Sequence, residues 1–357
     1  MPSPSSPSPL FSVLSVLANS NLFPFFFALS IGIPSALLYC LELVVIITNF
    51  SKFNSAFFVL VAFRAISSLA NFVFSFFGKR FGNLGLFLPL FLKLHRFALA
   101  SFLFFGNYTF FMENSLTIFL SLNRFTAILF PTKYEKLWRR GLVFVLGATL
   151  LLPLPLSFAI FNLDMYIHVQ DDNVTFTLDN HKMDNEINLT EITSWCSFAF
   201  GIICLLLNLA SIFAYKLRKN GHQNSNIEHK LTIYTMITFF GHFIGTIFWI
   251  IVAFTSTNFV DEQNNRFSHV QSWFGLTLEE NDIIFLANFN QFPWVNDLST
   301  LAIPAWLLLW ASTKMKEIIA KKFKWTRKTE HKANVAFVVP FSNKVHPRPN
   351  LLANHPK

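Results

Sequence analysis

The sequence predicts an all-α membrane protein, a seven-transmembrane helix bundle. Three observations predict it. Seven apolar stretches, at 23–47, 56–77, 99–122, 141–161, 194–215, 231–255 and 289–311, divide the 357-residue chain. A helix rises ~1.5 Å per residue, so about 20 apolar residues match a ~30 Å hydrocarbon core. Backbone inside lipid must satisfy its own hydrogen bonds, which makes each stretch a helix. The composition agrees: 53% of residues are hydrophobic, 47 are Phe, and only 13% are charged, against about 25% in ordinary globular chains. The cations are also sorted. The tail from Ser312, the connections 123–140 and 216–230, and Lys52 together hold 21 Lys and Arg; the opposite set of segments holds 6. The positive-inside rule then puts the N-terminus outside the cell and the C-terminal tail in the cytoplasm.

The stretches use about half of the chain and leave room for one bundle. The expected organisation is an extracellular N-terminal tail (1–22), a transmembrane domain (23–311) and a basic cytoplasmic tail (312–357). Residues 1–22 are rich in Ser and Pro and hold no cation. They read as a tail without order, and the first stretch then serves as an uncleaved signal anchor. Between the second and third stretches, the apolar run 84–92 is too short to span and reads as a surface or re-entrant segment. The fourth stretch carries Pro153 and Pro155 and the seventh Pro304; each removes a backbone donor and invites a kink.

Twelve of the 19 acids lie in segments 164–191 and 261–282, both assigned outside. The first of these also holds two acceptor sequons, Asn173-Val-Thr175 and Asn188-Leu-Thr190, so glycosylation is expected at Asn173 and Asn188. A third sequon, at Asn107, falls inside the third stretch and reads as chance. Cys40, Cys196 and Cys204 lie in or beside helices with no partner expected across the outer face, so no structural disulfide is expected. In the tail, Met315, Ile318, Ile319, Lys322 and Phe323 share one helical face among cations. That pattern fits either an amphipathic helix on an anionic leaflet or a plain stop-transfer cluster.

Four charges fall inside the stretches: Glu42, Arg64, Glu113 and Asp297. A charge at the bilayer centre costs at least ~2.5 kcal/mol on insertion scales and needs a partner or a wet cavity. From the cytoplasmic ends, Arg64 lies about 13 Å deep on the second helix and Glu113 about 16 Å deep on the third. Their matching depth predicts a mutual ion pair, and with Asp297 they are candidates for a polar switch, a ligand anchor or a packing scaffold. Glu42, about 9 Å deep, is expected to snorkel toward the headgroups.

No HExxH, GxSxG, P-loop or GxGxxG occurs, so no enzyme chemistry, cofactor or metal site is expected. His242, in the sixth stretch, has no paired ligand at helical spacing. The basic charge lies beside membrane exits, which argues against nucleic-acid binding. The Phe-rich walls predict a small, partly apolar ligand held among helices three, five, six and seven.

The segment from Ser121 to Trp138 leaves the third stretch on its cytoplasmic side and reads Ser-Leu-Asn123-Arg124-Phe125, then Pro131, Tyr134, Glu135 and Trp138. It resembles the corresponding segment of the nematode serpentine receptor class gamma chemoreceptors, and the helix spacing resembles that family over most of the chain. The resemblance implies a rhodopsin-like receptor architecture and a plasma-membrane receptor of sensory neurons. It also implies a small-molecule ligand and signalling to a heterotrimeric G protein through Asn123, Arg124 and Phe125. Asn123 stands where rhodopsin-like receptors place an acid, and Pro304 is followed by Ala-Trp-Leu rather than x-x-Tyr; neither an acid-based lock nor the usual helix-seven motif carries over. A membrane transporter would show internal repeats, and none is seen between the halves. A ligand-gated channel of the insect odorant type would place the N-terminus inside, against the cation count. Beyond membrane lipids, no further partner or oligomeric state is implied.

Overall fold

The computed structural model describes residues 9–20, 22–170, 172–180, 189–219, 226–256 and 278–322. Among these, seven long helices form the body of the protein. They are helix one (Leu22–Thr48), helix two (Ala56–Asn83), helix three (Arg96–Leu129), helix four (Tyr134–Asn162), helix five (Leu189–Lys219), helix six (Asn226–Ser256) and helix seven (278–311). A short N-terminal helix (Pro9–Asn19) precedes them. An antiparallel hairpin, β1 (Met165–Val169) and β2 (Phe176–Asn180), joins helices four and five with Ile167 opposite Leu178. Residues 314–322 are helical and belong to a separate unit.

Helices one, two, four, five and six are each long and apolar enough to cross a membrane. They turn apolar side chains outward: Leu37, Ile47, Val143, Phe144, Leu206, Phe213 and Phe240 are all exposed. Such a surface suits acyl chains rather than water. Helix three, at 34 residues, is more polar within, with Thr109, Glu113, Asn114, Ser115 and Thr117 all buried. It packs against helices two, four, five and six. A helix shielded by neighbours needs less apolar surface than one that meets lipid, which accounts for its weaker hydropathy. Helix seven, with buried Asn288, Gln291, Asn296 and Asp297, is shielded in the same way by helices one, two and six. The protein is an all-helical membrane bundle with one small hairpin.

Prolines set where the helices deform. Helix four runs regularly to Leu151, turns at Leu152, restarts at Pro153 and ends in a 3-10 turn (Ala159–Asn162). Wide π turns occupy Ala28–Gly32 in helix one and Asp297–Ala302 in helix seven, just before Pro34 and Pro304. Proline crowds and orphans the carbonyl four residues back, and a widened turn relieves both. A third π turn, Phe76–Arg80, lets helix two continue to Asn83.

Two expectations change here. The second helix does not stop at residue 77: Lys79 and Arg80, read as loop cations, lie on its last turns. Nor are residues 9–19 without order: they form a helix that packs on helix seven. Asn290 donates to the Ala18 carbonyl (2.8 Å) and Gln291 to those of Leu17 (2.8 Å) and Ser20 (3.2 Å). Carbonyls at a helix C-terminus need such partners.

At the hairpin end of the bundle, Phe91, Leu99, Ala100, Phe104, Ile160, Met165 and Phe176 form a buried apolar cluster. It fixes the 84–92 segment, a short helix (Leu88–Phe91), at the bundle surface. Two glycines let the end of helix two meet the hairpin. A Cβ at Gly82 would run into the Phe176 carbonyl oxygen, and Gly85, at φ +67°, lies against Val174. Only glycine takes that φ without cost.

Candidate ligand cavity and polar core

Beneath the hairpin lies a cavity of about 340 Å³. Helix two supplies Phe74, Phe77, Gly78, Lys79 and Gly82; helix three supplies Phe102, Gly106, Asn107 and Phe110. Trp249 of helix six and Phe289, Phe292 and Asn296 of helix seven close the far side, Thr193 of helix five adds a small contact, and Phe176, Thr177 and Leu178 of β2 form a wall. The volume and mostly apolar lining suit a small molecule. Helices three, five, six and seven, the set expected to hold a ligand, all line this cavity, together with helix two and β2. Asn107, whose sequon read as chance, faces this cavity.

Beside the cavity, helix two grips helix seven. Pro293 lacks an N–H, so the Phe289 carbonyl loses its helical donor. The Lys79 ammonium donates to that carbonyl, and lies 3.3 Å from the centroid of the Phe289 ring. Arg80 donates to the Pro293 carbonyl (3.3 Å) and pairs with Asp297 (2.5 Å), both side chains being buried. Arg80 and Asp297 each stand in a π turn, one on each helix. Asp297 thus has its partner in Arg80, which sequence reading placed outside the membrane.

The expected pair of Arg64 and Glu113 does not form. Arg64 donates to Nε2 of His242 at 2.6 Å; arginine can only donate, so the ring proton sits on Nδ1. Glu113 lies beside Ser68 and Asn71 within the field of Arg64, yet neither carboxylate oxygen has a hydrogen-bond partner. The two lie near enough to interact electrostatically, but Arg64 turns toward helix six. Glu42 does not snorkel either, since it is fully buried and near Tyr39 and Tyr234, with both oxygens unpartnered. His242 had been set aside because no metal ligand accompanied it, a criterion that does not test for an arginine.

At the opposite end from the hairpin, Asn123, Arg124 and Phe125 lie in the last turns of helix three. Asn123 Nδ2 donates to the Tyr134 hydroxyl (2.9 Å), and its Oδ1 accepts from Arg124 (3.4 Å). Trp138 donates from Nε1 to Thr126 Oγ1 at 2.8 Å. These bonds tie the foot of helix three to the first turns of helix four. The Arg124 guanidinium lies 3.9 Å from the centroid of Phe57 on helix two, and Arg124 is buried. Phe125 is half-buried.

Asn173 stands exposed in the hairpin turn at φ 55°. The backbone N–H of Val174 and the hydroxyl and N–H of Thr175 donate to Asp172 and hold its carboxyl below the ordinary range. Asn188 lies outside the described residues.

A family model described as Srg family chemoreceptor matches residues 25–319. The chain belongs to this family. It is therefore a multi-pass membrane chemoreceptor, and the matched span takes in every residue of the cavity and the polar core of this Srg receptor. No curated protein matches the chain. The foot of helix three was legible because Asn123, Arg124, Tyr134 and Trp138 are close in sequence. Lys79, Arg80 and His242 were not, because their partners are more than 170 residues away.

Proposed function

We propose that this Srg receptor is a chemosensory G-protein-coupled receptor that binds a small, largely apolar molecule in the cavity beneath the hairpin. The observation that carries the reading is the cavity itself, of about 340 Å³ and walled by Phe side chains of helices two, three and seven. Its floor reaches Asn71, which adjoins Glu113 and so the Arg64–His242 core. Occupancy can therefore reach helices two, three, six and seven together, as a ligand-driven shift between packed states requires. At the far end, Asn123, Arg124 and Phe125 would meet the heterotrimeric G protein once Arg124 leaves Phe57.

In this reading the hairpin end faces outward at the plasma membrane of a sensory neuron. Residues 1–22 are extracellular, 23–311 form the transmembrane domain and 312–357 are cytoplasmic. Asn173 and Asn188 carry glycans, and the protein works as a receptor without enzymatic activity. Gly106 gives the direct test, because a Cβ there meets open space. Gly106→Leu should fill the cavity, keep surface level near normal and abolish the agonist-evoked calcium or cAMP response. An unchanged response would place the ligand elsewhere. A tail epitope should stain only after permeabilisation, and staining of intact cells would reverse the orientation.

A further inference from the structure

The polar groups of the cavity are unequal in kind. Among the described residues no aspartate or glutamate lines it. Lys79 presents an amine with no carboxylate partner among the described residues, whose ion pairs are Arg80–Asp297 and Arg96–Asp164. One of its N–H groups goes to the Phe289 carbonyl and the nitrogen lies over the Phe289 ring, which leaves donor capacity for a ligand in the cavity that Lys79 lines. Trp249 also lines the cavity, and its Nε1 is buried without a hydrogen-bond partner. Asn107 Nδ2, on the wall formed by helix three, is in the same position. Lysine and indole N–H can only donate, and the Asn107 amide can present either end. A buried donor without a partner costs about 1–3 kcal/mol, and a ligand recovers that cost where a small turn of the side chain brings the N–H to the cavity surface. The remaining wall is aromatic: Phe77, Phe102, Phe110 and Phe292 surround the same space.

We infer that the cavity selects a compact aromatic or branched apolar molecule ending in a carboxylate, which meets Lys79 and Trp249 while its body packs among the phenylalanines. This rests on the proposal that the cavity is the ligand site, and adds the chemistry of the ligand. A cationic amine of the same shape would face Lys79 with like charge and find no acid to offset it.

The test uses the full chain in lipid nanodiscs and three probes of one shape: 3-phenylpropanoate, 4-phenylbutan-2-one and 3-phenylpropylamine. Calorimetric affinity should fall in that order. Lys79→Met should weaken the carboxylate on the order of ten- to hundredfold and the ketone by much less, with thermal stability in the nanodisc reporting that the variant is folded. Trp249→Phe should weaken the carboxylate and the ketone alike. If the amine binds as tightly as the carboxylate and Gly106→Leu abolishes both, the site stands and the inferred ligand class is overturned. If no probe binds, or if Gly106→Leu leaves every affinity unchanged, the cavity reading falls and the inference with it.

Discussion

Arg64 is the side chain on which the buried polar core turns. It is 1% exposed, reaches His242 on helix six and lies in the field of Glu113 on helix three. In low dielectric a charge–dipole contact of this kind is worth more than at a surface, and its loss strands the partner. Surface yields of Arg64→Leu, His242→Leu and the double variant should therefore be non-additive, with a coupling of about 0.5–3 kcal/mol. Purely additive losses would make the 2.6 Å contact energetically idle. Glu113 should behave differently. Its carboxylate has no hydrogen-bond partner, so Glu113→Gln removes a buried acid without breaking a pair. Thermal stability in detergent should hold or rise, and a fall of several degrees would show that the acid is structurally needed.

The helices themselves were legible because hydropathy and length report lipid contact directly. The second helix was cut short because Lys79 and Arg80 look like an exit from the membrane, whereas a π turn carries them back into protein, where Asp297, the orphaned Phe289 carbonyl and the Pro293 carbonyl receive them. Prolines were readable as points of deformation; which cation would take the Phe289 carbonyl freed by Pro293 was not, since that depends on the rotation of helix two against helix seven. Arg80→Leu should cost ~3–5 kcal/mol by leaving Asp297 buried and alone. The double variant Arg80→Leu with Asp297→Leu should regain much of that loss in surface yield, and failure to regain it would assign Arg80 chiefly to the Pro293 carbonyl. The hairpin offers a second element-scale test. Gly82→Ala places a methyl against the Phe176 carbonyl, so β2 must move off helix two. Agonist potency should drop while Gly78→Ala, whose Cβ meets open space, keeps surface expression. Equal effects of the two would mean that β2 does not shape the site.

Taken whole, the molecule carries a ligand-sized cavity at one end and a closed joint at the other, with helix three running between them. The joint is closed because Arg124 is folded onto Phe57 and the Asn123–Tyr134 and Trp138–Thr126 bonds hold helix four in place. A cation over an aromatic face is worth about 0.5–2 kcal/mol, small enough for a bound partner to reverse. Arg124→Ala should leave surface level near normal and abolish agonist-evoked G-protein activation; unchanged signalling normalised to surface level would leave Arg124 as an anchor only.

The docking of the N-terminal helix has a consequence in time. Its last carbonyls are held by side chains 271 to 274 residues further along the chain. At ~5–20 residues per second, the ribosome needs on the order of tens of seconds to deliver Asn290 and Gln291 after residues 9–19 have emerged. Throughout that interval the segment has no docking partner on helix seven. A chain truncated after helix six should therefore be cut within residues 9–19 by an added protease, while the complete receptor resists. The seating of Pro9–Asn19 thus waits on the synthesis of helix seven.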